Sequence, residues 1–95
     1  MAAYMIADVD VKDAALFDDY RKQVPETLAR HGGKYLVRGG KHQTLEGKWT
    51  PSRIVVLEFP SLEAARRWYD CEEYREPKAL RMKAALTNLV LVEGA

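Results

Sequence analysis

Few of the residues in this chain that could do chemistry stand in a setting that suggests it. Arg38 stands directly before Gly39-Gly40. A guanidinium there could hold a carboxylate in a bidentate grip, and two glycines leave room for a ligand or another backbone to approach. The plainer reading is a strand-end arginine paired with an acid, beside a β-bulge. Asp8 and Glu58 are acids within apolar runs. Burial would raise their pKa values, which makes Glu58 the candidate proton acceptor. The alternatives are an ion pair of Glu58 with Lys34 or an arginine, and a solvated rim position for Asp8. Trp49 falls among turn residues, where folding alone does not need an indole. It is expected to close the mouth of a pocket or to pack on a partner. Arg38 and Trp49 are thus the expected ligand contacts.

The remaining candidates are weaker. His31 ends a helical stripe and His42 follows the glycine pair. Either could shuttle a proton or hold haem iron. A histidine beside Gly32-Gly33 is, however, placed to cap the last carbonyls of a helix, and His42 reads as exposed. The one cysteine, Cys71, excludes an intrachain disulfide and any multi-cysteine metal site. No histidine and carboxylate set shows metal-ligand spacing along the chain, so no metal, haem or other cofactor is expected. Trp68, Tyr69 and Tyr74 could line an aromatic pocket, but Trp68 and Tyr69 share helical spacing with Leu62 and Ala65 and read first as core. Arg66, Arg67, Lys78, Arg81 and Lys83 read as solvated helix charges.

These residues must be positioned by regular elements. Tyr4 to Val11 is rich in β-formers and reads as a first strand. Asp13 can cap a following helix whose stripe is Leu16, Phe17, Tyr20, Val24, Leu28 and His31. Pro25 is expected to kink or restart that helix, and Gly32-Gly33 to end it. Lys34 to Arg38 is a second strand, which Lys41 to Leu45 would continue beyond the glycines, with a hairpin turn over 46–52. Arg53 to Phe59 is the clearest strand. Ser61 caps a second helix to about Cys71. A break over Asp70 to Pro77 and a resumed helix from Lys78 to Ala85 are expected next. Leu89 to Val92 is the last strand.

The order β-α-β-β-α-β is that of an α+β, ferredoxin-like, split βαβ domain spanning residues 1–95. Right-handed crossovers place both helices on one face of a four-stranded antiparallel sheet. Strand parity then becomes informative. Tyr4 and Ile6 oppose Met5, Ala7 and Val9; Ile54 and Val56 oppose Val55, Leu57 and Phe59; Leu89 and Leu91 oppose Val90 and Val92. Both faces are apolar, the pattern of a sheet covered on both sides. A second copy of the same sheet is the simplest cover, so a face-to-face homodimer is expected.

Composition agrees. The chain has 95 residues, 47% hydrophobic and 31% charged, which is a globular and not a disordered profile. The formal charge of +1 gives no case for nucleic acid or an acidic membrane. No apolar run approaches a membrane span, and Met1 to Val11 lacks the basic start of a signal peptide, so a cytoplasmic protein is expected.

Several segments together resemble one known family. They are Tyr35-Leu36-Val37-Arg38-Gly39-Gly40, Leu45-Glu46-Gly47-Lys48-Trp49, Arg53 with Val55 to Ser61, Ala64-Ala65, Trp68-Tyr69 and Glu73-Tyr74. In order and spacing they are similar to the domain-of-unknown-function 1330 family, over nearly the whole chain. The resemblance implies the dimeric α/β-barrel superfamily and bacterial, soluble, homodimeric proteins with no assigned reaction. The chain departs from the pattern at Cys71, where the family usually has Ser, and at Glu72, where it often has Pro. That departure weakens the cap and turn expected there. Three functions remain open. The first is a homodimer binding a small anionic or carbonyl-bearing molecule in a cleft between sheet and helices. The second is a cofactor-independent monooxygenase or isomerase, and the third a purely structural or accessory dimer.

Overall fold

The computed structural model describes all residues, 1–95. Its elements are β1 (Ala3–Val11), α1 (Ala14–Arg30), β2 (Lys34–Arg38), β3 (Ile54–Phe59), α2 (Leu62–Asp70), α3 (Glu72–Ala84) and β4 (Ala85–Glu93). The antiparallel sheet has the order β2-β3-β1-β4, the ferredoxin-like arrangement expected. Its shortest dimension is only 17 Å, so the chain forms two layers: one sheet and one layer of helices. No helix is long and apolar enough to cross a membrane.

Both expected caps form. The Asp13 carboxylate accepts from Leu16 N at 3.1 Å, and the Ser61 hydroxyl accepts from Ala64 N at 3.1 Å. Each satisfies one of the N–H groups that a first helical turn leaves free. Gly32, with φ at +74°, turns the chain out of α1.

Four local expectations are corrected. Helix α1 runs unbroken through Pro25. The missing donor costs one hydrogen bond, and burial of Val24, Thr27 and Leu28 on either side holds the helix together. The break over 70–77 shrinks to Cys71 alone, because Tyr74 and Pro77 are buried on one stripe of a continuous α3. Strand β4 begins at Ala85, with Thr87 and Asn88 paired to Val9 and Asp8, so no turn separates helix from strand. Residues 41–45 form no strand: β2 ends at Arg38, and residues 39–53 are an irregular loop.

Parity divides the sheet as expected. Met5, Ala7, Val9, Leu57 and Phe59 face the helices and are buried. Around them pack Val24 and Leu28 of α1, Ala64, Ala65 and Trp68 of α2, and Tyr74 of α3. The indole of Trp68 stacks on Tyr74 with ring centroids 4.0 Å apart. On the opposite face Ile6 lies between Val56 and Val90, and Tyr4 beside Val92. No helix of this chain covers them, and Leu86, Val90 and Val92 are 65%, 56% and 44% exposed.

One buried polar chain ties α1 to α2. Trp68 Nε1 donates to Thr27 Oγ1 at 3.0 Å, and that hydroxyl donates to Val24 O at 2.8 Å. Thr27→Val keeps the shape but leaves a buried indole N–H without an acceptor, a loss of about 1–3 kcal/mol. Urea denaturation of the variant should show a lower midpoint with an unchanged slope.

Candidate functional site

The site follows from small residues under large ones. Ala7 lies between Val55 and Leu89 on the helix face of the sheet, so the sheet offers little volume there. Above it α1 and α3 contribute Phe17, Tyr20 and Tyr74, and β2 contributes Tyr35. Between the layers a cavity of about 240 Å³ remains. A cavity of about 150 Å³ already holds benzene, so this one admits a substituted single ring.

Its walls are aromatic and its charge is of one sign. Arg21, Lys22, Arg38, Arg53 and Arg81 line it, and no acidic residue does. Arg21 pairs with Asp18 outside, whereas Arg38, Arg53 and Arg81 form no ion pair. Arg81 is 6% exposed. Its Nε and that of Arg53 are buried without a hydrogen-bond partner. A buried charge without a counter-charge costs several kcal/mol, and no acid in the lining stands opposite these two guanidinium groups.

The backbone makes room for these cations. Gly39, with φ at +66°, lies against the Arg53 guanidinium, and a Cβ there would run into it. The room expected at the glycine pair for a ligand or another backbone is taken at Gly39 by the Arg53 side chain, while nothing lies close to Gly40. Arg38 pairs with Val55, faces the helix side, and stacks its guanidinium 3.8 Å from the Tyr35 ring centroid. No acid holds it, contrary to the plainer expectation. Between Tyr35 and Val37 the register shifts, which brings both Tyr35 and Arg38 to the cavity side.

Hydroxyls complete the lining. Tyr20 and Tyr74 share a hydrogen bond of 2.8 Å between their oxygens. Burial pushes the phenols of Tyr20 and Tyr74 up, and pushes Tyr35 up to about 12. All three are neutral donors at physiological pH, and none is a base.

The other expected contacts lie elsewhere. Trp49 is not at this cavity. Its Nε1 donates to Asp8 Oδ2 at 2.9 Å, and Ser52 N donates to Asp8 Oδ1 at 2.9 Å. These bonds hold the Asp8 carboxyl below its usual range and pin the 39–53 loop to the open face of the sheet. Glu58 is also on the open face, because its neighbours Leu57 and Phe59 point inward. It pairs with Lys34 Nζ at 3.2 Å, and its hydrogen bond raises the Tyr4 phenol. It cannot accept a proton from anything in the cavity. His42 is exposed and bonds to Pro51 O at 2.8 Å.

Sequence reasoning missed Arg53 and Arg81. Arg81 is buried, not solvated: it shares one stripe of α3 with Tyr74, Pro77 and Ala84. That spacing of three, four and three was a usable signal. The buried face of α3 is also why Tyr74 is a cavity wall. His31 caps α1 through its backbone N–H and not its ring, and its ring lies near Cys71 and Glu73.

The fold and the cavity define a ferredoxin-like α+β protein with a cationic, aromatic-walled chamber between its layers. The chain belongs to the family described as a domain of unknown function, DUF1330, whose model matches residues 2–95. No curated protein matches it. Among solved structures, a protein of unknown function from Rhodopseudomonas palustris is 20% identical, with a TM-score of 0.80 over 99% of this chain and 82% of that one. SnoaB, a cofactor-independent oxygenase from Streptomyces nogalater, is 14% identical, with a TM-score of 0.68 over 99% and 93%. A dimeric ferredoxin-like protein of unknown function from a Jannaschia species is 10% identical, with a TM-score of 0.67 over 99% and 100%. These likenesses establish the fold.

The buried phenols give the site a pH signature. Their folded pKa values are raised above the ordinary 10.0, so the stability they lend is intact below pH 10.0 and is lost as pH rises above it, for Tyr35 toward about 12. In an alkaline titration the phenolate absorbance of these tyrosines should appear together with the loss of circular dichroism. Ionisation of every tyrosine near the ordinary value, with the fold intact, would mean that the cavity is open to water.

Proposed function

We propose that this protein binds a small, planar, anionic molecule in the chamber between sheet and helices, and that it does so as a homodimer. The observation that carries the reading is the pair of buried, unpartnered guanidinium nitrogens, Arg53 Nε and Arg81 Nε, in a cavity without any acid. A single-ring carboxylate, or a ring bearing an ionised enol, matches both the charge and the walls. Arg53 and Arg81 would hold the anionic group, and the Tyr20 and Tyr74 hydroxyls would add a neutral donor. Arg38, stacked on Tyr35 and exposed at the edge, would be the first cation an entering anion meets.

The same lining bears on the oxygenase reading that SnoaB suggests by fold. The chamber stabilises an anion but has no group suited to make one. Neither a carboxylate nor a histidine lines it, and its phenols are pushed up. Chemistry here would suit a substrate that enters already ionised, which the arginines would then keep ionised as charge shifts onto an oxygen.

Arg81→Met separates ligand binding from folding. Replacing a buried, unpaired charge by an apolar side chain of similar length is neutral or stabilising. The variant should melt at or above the parent temperature and lose the thermal shift given by single-ring aromatic carboxylates. Arg38→Met should weaken the same response by less than Arg81→Met does, with little change in melting. A large drop in melting for Arg81→Met, with no acid responding in the parent protein, would mark the arginine as structural.

Homodimerisation rests on the open face. Ile6, Ile54, Val56, Val90 and Val92 form an apolar surface on the side away from the helices, and a second copy would cover it with like residues. The Jannaschia relative is described as dimeric. Val56→Asp should give a folded monomer in sedimentation, whereas Leu57→Asp, one residue on and facing the core, should unfold the chain. A parent protein that stays monomeric at micromolar concentration would exclude this interface.

A further inference from the structure

A second constellation lies outside the chamber. His31 ends α1, Cys71 is the single residue between α2 and α3, and Glu73 is in the first turn of α3. One nitrogen, the sulfur and one carboxylate oxygen of these three lie within 4.8 Å of one another. We propose that His31, Cys71 and Glu73 form a binding site for a single thiophilic divalent cation of the zinc type.

Three features support the assignment. The donor set comes first. Sulfur, imidazole nitrogen and carboxylate oxygen are the three ligand types zinc takes, at about 2.0–2.3 Å each. Donors around such an ion stand roughly 3.5 Å apart, so side-chain rotations of about 1 Å close the present arrangement onto an ion. The partners come second. His31 and Glu73 form no ion pair with each other, and the Cys71 thiol makes no capping bond to α3 although it occupies the cap position. Three donors that converge without pairing leave a point between them for a fourth party.

The third feature is the local field. Cys71 and Glu73 stand at the N-terminal end of α3, where the helix dipole favours a thiolate and a carboxylate. His31 stands at the C-terminal end of α1, where it favours a cation. On binding, the Cys71 thiol gives its proton to solvent. The thiolate and the carboxylate then balance the two charges of the ion. Glu73 is exposed and only three residues contribute, so a fourth position faces water. The site is on the helix layer, away from the apolar sheet face, and it shares no residue with the anion chamber.

The test uses the whole chain, stripped with a chelator, and zinc or cobalt ions alone. Zinc titrated in competition with a chromogenic chelator should bind at one equivalent per chain, and it should raise the melting temperature by mass action. Cobalt should give a near-ultraviolet thiolate-to-metal band. Cys71→Ser should abolish that band and weaken zinc binding by more than about tenfold; His31→Gln and Glu73→Gln should each weaken binding while keeping the band at saturating cobalt. Independently of any variant, saturating zinc should protect Cys71 of the parent protein from alkylation. Zinc binding that is equal in parent and Cys71→Ser, a missing cobalt band, or an alkylation rate unchanged by zinc would overturn the proposal.

Discussion

In β1 the pleat sends Met5, Ala7 and Val9 toward the helices and Ile6 and Asp8 to the opposite side. Because β1 is paired along both edges, β3 and β4 must adopt the same division in register. That constraint places the chamber, which needs Ala7, Val55 and Leu89 on one level of one face. It also decides that Val56 and Val90 stand together on the other face. A slip of one residue would exchange the faces, placing Asp8 and Glu58 among the core aromatics and Leu57 and Phe59 in the open.

The same division explains what could be read from the sequence and what could not. Alternation in β1 and β3 is strong, so these two strands, their parity and the two apolar faces were legible. Asp13 and Ser61 were legible as caps because their role depends on neighbours three residues away. Pro25 and Pro77 misled, since a lost backbone donor is a local cost and the burial of Thr27, Leu28 and Tyr74 that outweighs it is not local. Trp49 and Glu58 stand out in the sequence, yet neither lines the chamber. Their side of the sheet was the deciding fact, and for Trp49, in a loop without period, no alternation could supply it. Arg81 was hidden by its chemistry: arginine is so seldom buried that a charge on a buried stripe is easily passed over.

Inside the chamber, position and charge reinforce each other. The Arg53 guanidinium lies against a residue without a side chain, and Arg38 lies on a ring, so both are held by shape and not by an acid. An acid partner would have neutralised them. The neutral phenols fit the same logic, because a phenolate there would itself be a counter-charge to the arginines. The His31, Cys71 and Glu73 cluster is built differently. It gathers residues from two helix ends far apart in the chain, and linear spacing could not have shown it.

The 39–53 loop leaves the sheet and returns to it at almost one point: Gly39 N donates to Ile54 O at 2.8 Å, and Val9 N donates to Arg53 O at 2.8 Å. Arg53 and Gly39, which matter to the chamber, belong to that neck, while Leu45 at 84% exposure belongs to the far end. Closing a loop grows dearer only slowly with its length, about 0.6 kcal/mol per doubling. The distal stretch is therefore a grafting point. Segments inserted between His42 and Lys48 would lengthen an appendage whose anchorage is already complete, and the same scaffold could carry different extensions past its edge without re-engineering the cavity behind them.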